Sequence, residues 1–250
     1  QIVTPESFKL FFGGPKERRK FVDLGVFHVE HSFSKIWKEF SRILKQRNAC
    51  LRSNVDSATL SYWSTKFAES SIEMSSLRET YLNTLKVELD SWLEKLIPSF
   101  KNKIEVNYLR GWSYRKELID LLQESEHRER KQGFSQYGAQ KFDLKFLIEG
   151  ESIETQLSRG QQKLFLLALT LAQTSLIKQV KQVKPILLVD DIGAELDINS
   201  RILLASAIEE MDCQIIMSAI DKNVLDVILP ILNKFKMFHV EHGKLSEISE

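Results

Sequence analysis

The sequence predicts an α/β fold in which a parallel sheet carries an inserted antiparallel helical arm. Three observations predict it. Residues 186–189 (Ile-Leu-Leu-Val) form a short, wholly apolar run that suits a strand buried in a parallel sheet. From that run onward, strand and helix patterns alternate, the order of parallel α/β organisation. Over residues 57–97 apolar side chains recur every three or four positions, the pattern of one long helix packed on another.

The bulk numbers bound the partners. With 250 residues the chain can bury a large core in one or two domains. Charged residues make up 28% but the formal net charge is only +1, so any nucleic-acid surface must be a local patch. Cys50 and Cys213 are the only cysteines, too few and too far apart for a disulfide framework. A reducing cytoplasm fits, with Cys213 expected as a buried thiol. No apolar run in these residues is long enough to span a bilayer, and a secretory signal peptide is not expected.

Taken in order, residues 1–27 include the basic cluster Lys16, Arg18, Arg19 and Lys20, directly after Gly13-Gly14-Pro15. Such a cluster is either a solvated helix face or a phosphate-contacting patch. Residues 32–52 predict an amphipathic helix with a stripe of Phe33, Trp37, Phe40, Leu44 and Leu51. Arg42, Lys45 and Arg47 lie largely off that stripe and extend the candidate DNA-binding set. After a turn, the helix over 57–97 carries Leu60, Trp63, Phe67, Met74, Leu77, Tyr81, Leu85, Leu89, Trp92 and Leu96 on one face. It would be ~60 Å long, ends at Pro98, and with its predecessor forms an antiparallel arm.

Ile104, Val106 and Tyr108 alternate with polar residues, as do Phe142, Leu144, Phe146 and Ile148, which predicts two half-buried, paired strands. Residues 116–131 between them read as a charged helix. Beyond residue 197, helices over 199–210 and 222–231 alternate with a buried strand at 214–218 and a short strand at 236–240. The resulting division is 1–27, the end of a first lobe; 28–131, the arm; and 132–250, the remainder of the head.

Residues 157–197 hold the chemistry. Ser158 is a good N-cap for a long apolar helix from Leu164 to about Lys178, and Gly160 permits close approach. A helix N-terminus offers free amides and partial positive charge to an anion. Asp190 and Asp191 stand at the C-terminal end of the predicted strand, where α/β sheets bind ligands. Two adjacent buried carboxylates are costly unless a metal or a reaction uses them.

Here a family becomes visible. Leu157-Ser-Arg-Gly-Gln-Gln-Lys163 resembles an ABC-type signature, Ile186–Asp191 a Walker B strand, and Ala194-Glu-Leu-Asp197 the loop that follows it. Together with Phe12-Gly-Gly-Pro-Lys-Glu-Arg-Arg-Lys-Phe21, Gly25–Glu30 and Leu44-Lys-Gln-Arg-Asn48, the chain resembles the RecF family, relatives of SMC and Rad50 heads, over nearly all its length. The resemblance implies the C-terminal part of an ABC-type ATPase head. It implies ATP and Mg²⁺ as cofactors, with Asp190 holding the metal and Asp191 polarising the attacking water. Ser158, Gly160, Gln161 and Gln162 would cap the γ-phosphate of nucleotide on a second subunit, and Asp197 would cross that interface. The implied partners are single- and double-stranded DNA junctions, an ATP-dependent homodimer and other recombination mediators. The implied role is binding at gaps to aid recombinase loading, replication restart and SOS induction.

The departures from the family matter. Asp191 stands where most ABC enzymes have glutamate, and Gly138-Ala-Gln-Lys141 where the family usually has Gly-Pro-His-Arg. Ile220 follows the strand end where many such heads place a switch histidine. No G-x-x-x-x-G-K-[ST] occurs in these 250 residues. Because the chain begins with Gln1, inside a family motif, the expectation is that the phosphate cradle lies upstream. These residues alone are then expected not to hydrolyse ATP. The alternative reading is a structural or partner-binding head without ATPase activity. A membrane-transporter subunit is disfavoured by the long arm.

One repeat falls outside this scheme: Phe-His-Val-Glu-His occurs at 27–31 and again at 238–242. In an extended strand its first His and Glu-linked His would face opposite ways, and the spacing misses the zincin patterns. The codons TTC-CAC-GTG-GAA, which can encode its first four residues, are self-complementary and resemble centromere-like sites of bacterial partition systems. The repeat therefore reads as one written for DNA rather than for protein.

Overall fold

The structure is a computed structural model that describes residues 2–3, 7, 9–53, 55–191 and 196–248. The expected α/β architecture with a helical arm is present. A short strand, β1 (Ile2–Val3), precedes helices α1 (Lys9–Phe12) and α2 (Pro15–Val29). Pro15 opens α2 at a position where its missing N–H costs nothing. α3 (Phe33–Ser53) and α4 (Ser57–Leu96) form the arm. α4 is capped by Asp56, whose carboxylate accepts from Thr59 N at 2.9 Å, and stops before Pro98.

The spacing of α4 carries through to its packing. Its first half lies on α3, with Phe40 and Phe67 stacked at 5.7 Å. Its second half lies on α8 (Arg159–Lys181), where Trp92 Nε1 donates to Ser175 Oγ at 3.2 Å. The same helix thus belongs to the arm at one end and to the head at the other; one core runs along it from Phe67 to Leu96, and Leu60 packs with Cys50 and Leu51 in a separate cluster. α2 enters this core at Gly25, beside the buried Tyr81–Gln173 hydrogen bond of 2.8 Å. A Cβ on Gly25 would come within 2.0 Å of the Tyr81 oxygen.

The stripe of α3 is rotated from its expected position. Trp37 is 46% exposed, while Ile43 and Arg47 are buried with Phe33, Phe40 and Leu51. Arg47 turns inward because it has a partner there: its guanidinium reaches Glu129 at 2.7 Å, Ser135 at 2.6 Å and Ser64 at 3.0 Å, with both charges fully enclosed. Glu129 lies on α6 (Glu126–Gln132), which follows α5 (Leu118–Glu124). The single charged helix expected over 116–131 is therefore two helices, separated at Ser125.

Two antiparallel strands, β2 (Ile104–Leu109) and β3 (Asp143–Ile148), pair as expected, with Ile104 opposite Ile148 and Val106 opposite Phe146. β4 (Glu151–Ser152) extends that sheet, and α7 (Ile153–Gln156) leads to α8. Phe146 meets Phe165 of α8 edge-on at 5.1 Å. Arg78 of α4 holds the loop before β3: it pairs with Asp23, donates to Ala139 O at 2.8 Å and covers the Phe142 ring at 3.9 Å. In that loop Gly138 has φ 119°, and a Cβ there would lie 2.5 Å from the Phe67 ring, so glycine is required.

The parallel sheet is ordered β1–β5–β6, with β5 (Ile186–Val189) central and β6 (Gln214–Met217) beside it. Leu188 faces Ile2 on one side and Ile216 on the other. Here the expectation of fully buried strands is corrected. Leu187 and Val189 are buried, whereas Ile186 and Ile216 are exposed. Among the described residues only one face of this sheet packs into the core, so burial follows the period of two. Helices α9 (Ile198–Glu210) and α10 (Lys222–Ile228) follow β5 and β6 in the chain and pack on each other. The chain closes with a hairpin, β7 (Met237–Glu241) and β8 (Lys244–Ile248); the second strand has no counterpart in the sequence reading. Cys50 is buried and free, but Cys213 is only half-buried. No helix among the described residues is long and apolar enough to cross a membrane.

Candidate functional site

The site is built at one end of β5, where α8 begins. The α8 N-terminus is fixed by a capping box. Ser158 Oγ accepts from Gln161 N at 3.3 Å, and the Gln161 side chain accepts from Ser158 N at 2.9 Å. Adjacent Gln162 points the other way. It is buried, and its amide donates to Leu157 O at 3.0 Å and Glu154 O at 3.1 Å, which anchors the incoming chain. Ser158 is exposed at the tip, with Gly160 half-buried beside it. The motif therefore divides its labour: Gln162 holds the loop inside, while Ser158 and the first-turn amides face outward.

One turn further on, Lys163 Nζ donates to the Asp191 carbonyl at 3.2 Å. This contact ties the signature helix to the acidic end of β5. The carboxylates there are held by β6. Ser218 Oγ donates to an oxygen of the Asp190 carboxylate and accepts from Asp191 N at 3.0 Å, while Ser218 N donates to Val189 O at 2.9 Å. Asp191 has φ 52°, a left-handed conformation that an aspartate tolerates better than most residues. The expectation of two buried carboxylates is corrected as well: Asp190 is exposed and Asp191 half-buried.

That arrangement suits a hard cation. Among the described residues no three His, Cys, Asp or Glu side chains converge on one point. Mg²⁺ needs no such cage, since it keeps several waters and is held by one or two carboxylates plus phosphate oxygens. Asp197 caps α9, accepting from Ser200 N at 2.7 Å, and this hydrogen bond lowers its carboxyl pKa below the usual value. Ile192, Gly193, Ala194 and Glu195, the start of the loop that includes Asp197, lie outside the described residues. Ile220, at the position of the absent histidine, is 91% exposed.

The basic residues do not form one free patch. Arg18 is committed to the fold: it pairs with Asp143 through two hydrogen bonds of 2.7 and 2.9 Å, which raise its pKa further. Arg19 donates to Phe142 O at 3.0 Å. Arg47, expected to contact DNA, is corrected to a core residue for the reason given above. Lys16, Lys20, Arg42 and Lys45 remain exposed. Ser218 and Lys163 are the residues to which sequence reasoning gave no role. The only signal for Ser218 was its place at the end of the Ile215–Met217 run.

A parallel sheet, an outward signature helix and paired aspartates at the sheet end define a head of the ABC type found in SMC and RecF proteins. The model for the RecF/RecN/SMC N terminal domain matches residues 30–246. The DNA replication and repair protein RecF of Colwellia psychrerythraea is 54% identical over 100% of this chain and 69% of its own length. That of Pseudoalteromonas translucida is 38% identical over 98% of this chain and 68% of its own length. A solved structure of the recombination mediator protein RecF with ATP overlays at a TM-score of 0.79, with 22% identity, across 99% of this chain and 67% of that one. The Smc head domain of Pyrococcus furiosus overlays at 0.53, with 18% identity, across 99% of this chain and 61% of that one. The chain belongs to the RecF family of DNA replication and repair proteins.

Proposed function

We propose that this chain supplies the trans-acting half of an ATP-gated DNA clamp in the cytoplasm. Ser158, Gly160 and Gln161 cap the γ-phosphate of ATP held in the phosphate cradle of a second subunit, while Gln162, expected to join them, is corrected to the buried anchor of the loop. The observation that carries this reading is the outward-facing, fully capped N-terminus of α8, locked by Lys163 to the end of β5. The cap occupies the Gln161 amide, and the first-turn amides ahead of it are left to an anion approaching from outside. Asp190 holds Mg²⁺, which neutralises phosphate charge when bound. Asp191 then polarises water, and its side chain, shorter than the usual glutamate, makes hydrolysis slow. Asp197 and its loop lie across the dimer interface.

Closure of the dimer brings two copies of a basic surface to one duplex, at gaps where recombinase is loaded with the help of other mediators, in replication restart and SOS induction. Residues 1–27, 28–131 and 132–250 act as the end of the first lobe, the arm, and the signature-bearing part of the head. Lys16 and Lys20 on α2, with Arg42 and Lys45 on α3, are the phosphate contacts. The test is fluorescence anisotropy of a gapped duplex, titrated with this chain plus Colwellia psychrerythraea RecF and ATP. Affinity is expected to fall by ~0.9 log unit per log unit of salt for each phosphate neutralised. Alanine at Lys16, Lys20, Arg42 and Lys45 flattens that slope and weakens all sequences alike. An unchanged slope refutes the patch.

A further inference from the structure

We infer that residues 26–31 and 237–242 are shaped by the coding DNA, each spanning one copy of a two-fold palindrome that a symmetric, dimeric DNA-binding protein reads. The repeated Phe-His-Val-Glu-His has no common structural role. Its first copy ends α2, where Phe27 is 51% exposed, Val29 packs at the core edge and Glu30 accepts from Ser32 N at 2.9 Å. Its second copy is strand β7 and its turn, where Phe238 is 46% and Val240 67% exposed. One peptide is helical in one place and extended in the other. The histidines do not share a site: His31 Nδ1 meets Lys181 at 3.2 Å, whereas His239 and His242 lie 3.8 and 3.9 Å from Glu241. No metal-binding cluster exists among the described residues. All five positions of the second copy are exposed and accept many residue types, so folding does not explain why the residues of the first copy recur there, nor why Phe238 and Val240 are apolar.

The genetic code does explain it. About the centre of each copy, residues pair as reverse-complementary codons: His CAC with Val GTG, and Phe TTC with Glu GAA. The pairing continues one residue outward in both copies, although the residues there differ. Val26 (GTG) complements His31 (CAC), and Met237 (ATG) complements His242 (CAT). Both hexapeptides can therefore be encoded by a complete palindrome sharing the sixteen-base core TG-TTC-CAC-GTG-GAA-CA. Met237 and His242 have no alternative to the outer TG and CA. A palindrome is the form of DNA that a two-fold symmetric dimer reads, one half-site per subunit. The major-groove edges of its bases offer that dimer a distinct donor and acceptor pattern at each pair.

The test starts from the native gene. The expected codons are TTC, CAC, GTG and GAA at both copies, with GTG at Val26. A native TTT, CAT or GAG within either core overturns the inference. DNase I footprinting of the two gene segments in host extract is expected to protect both, and to lose protection when the codons are changed synonymously to TTT-CAT-GTT-GAG. Intact palindromes without protection, or protection that survives recoding, contradict it. At the protein level, Phe238→Ser with Val240→Thr is expected to leave thermal unfolding and ATP-dependent association unchanged. Loss of either assigns the repeat to the protein instead.

Discussion

Lys163 Nζ lies 3.2 Å from the carbonyl oxygen of Asp191, and this charged hydrogen bond joins the signature helix to the acidic strand end. Hydrogen bonds from charged donors contribute about 1.5–3 kcal/mol, and a half-buried one belongs at the low end. Lys163→Met is therefore expected to weaken ATP-dependent association by about tenfold while leaving the fold intact. Analytical ultracentrifugation beside a circular dichroism spectrum checks both halves of that statement. An association constant equal to that of the unaltered chain removes the coupling.

Arg47 and Glu129 form an enclosed ion pair that clamps α3 to α6. Removing one partner of such a pair strands a buried charge, at a cost of about 3–5 kcal/mol. Arg47→Met and Glu129→Leu should each lower stability by that amount. The double variant should recover most of the loss, because well-packed apolar replacements of a buried pair are often neutral. Urea unfolding of the three variants decides it. A double variant as unstable as the sum of the singles contradicts the account.

Asp197 caps α9 with a carboxylate whose pKa is held below its ordinary value, first by the hydrogen bond from Ser200 N. A group depressed in the folded state stabilises it above the unfolded pKa, near 3.9 for aspartate. That contribution disappears as pH falls through the lower, folded value. The start of α9 is thus expected to loosen only below about pH 4. In Asp197→Asn, whose amide still caps but does not titrate, that acid-dependent step should be absent. Amide hydrogen exchange of residues 198–201 across pH 2–6 measures it. A step of equal size in the variant assigns the effect to another group.

The parts of this architecture that rest on local periodicity could be read from sequence. The stripe Leu60, Phe67, Met74, Tyr81, Leu85, Leu89 and Leu96 is buried as its spacing implies. β2 and β3 pair as their alternation implies. What escaped reading depends on partners distant in the chain. Arg47 reads as a surface cation until Glu129, more than eighty positions away, folds against it, and its burial rotates the stripe so that Trp37 is left outside. Arg18 is likewise claimed by Asp143. At the site, the motif residues were legible as a resemblance and Ser158 as a cap. The bridging role of Ser218 depends on the register that sets Met217 opposite Val189, and no local pattern reveals a register.

The central claim is that this chain caps nucleotide bound by another subunit. Sedimentation velocity of the labelled chain, mixed with Colwellia psychrerythraea RecF, tests it most directly, because the partner then supplies the phosphate cradle. The account predicts a heavier complex with ATP, none without it, and none with ATP when the chain carries Ser158→Arg. A complex of the same size and affinity with Ser158→Arg, or one that forms equally well without ATP, would contradict it.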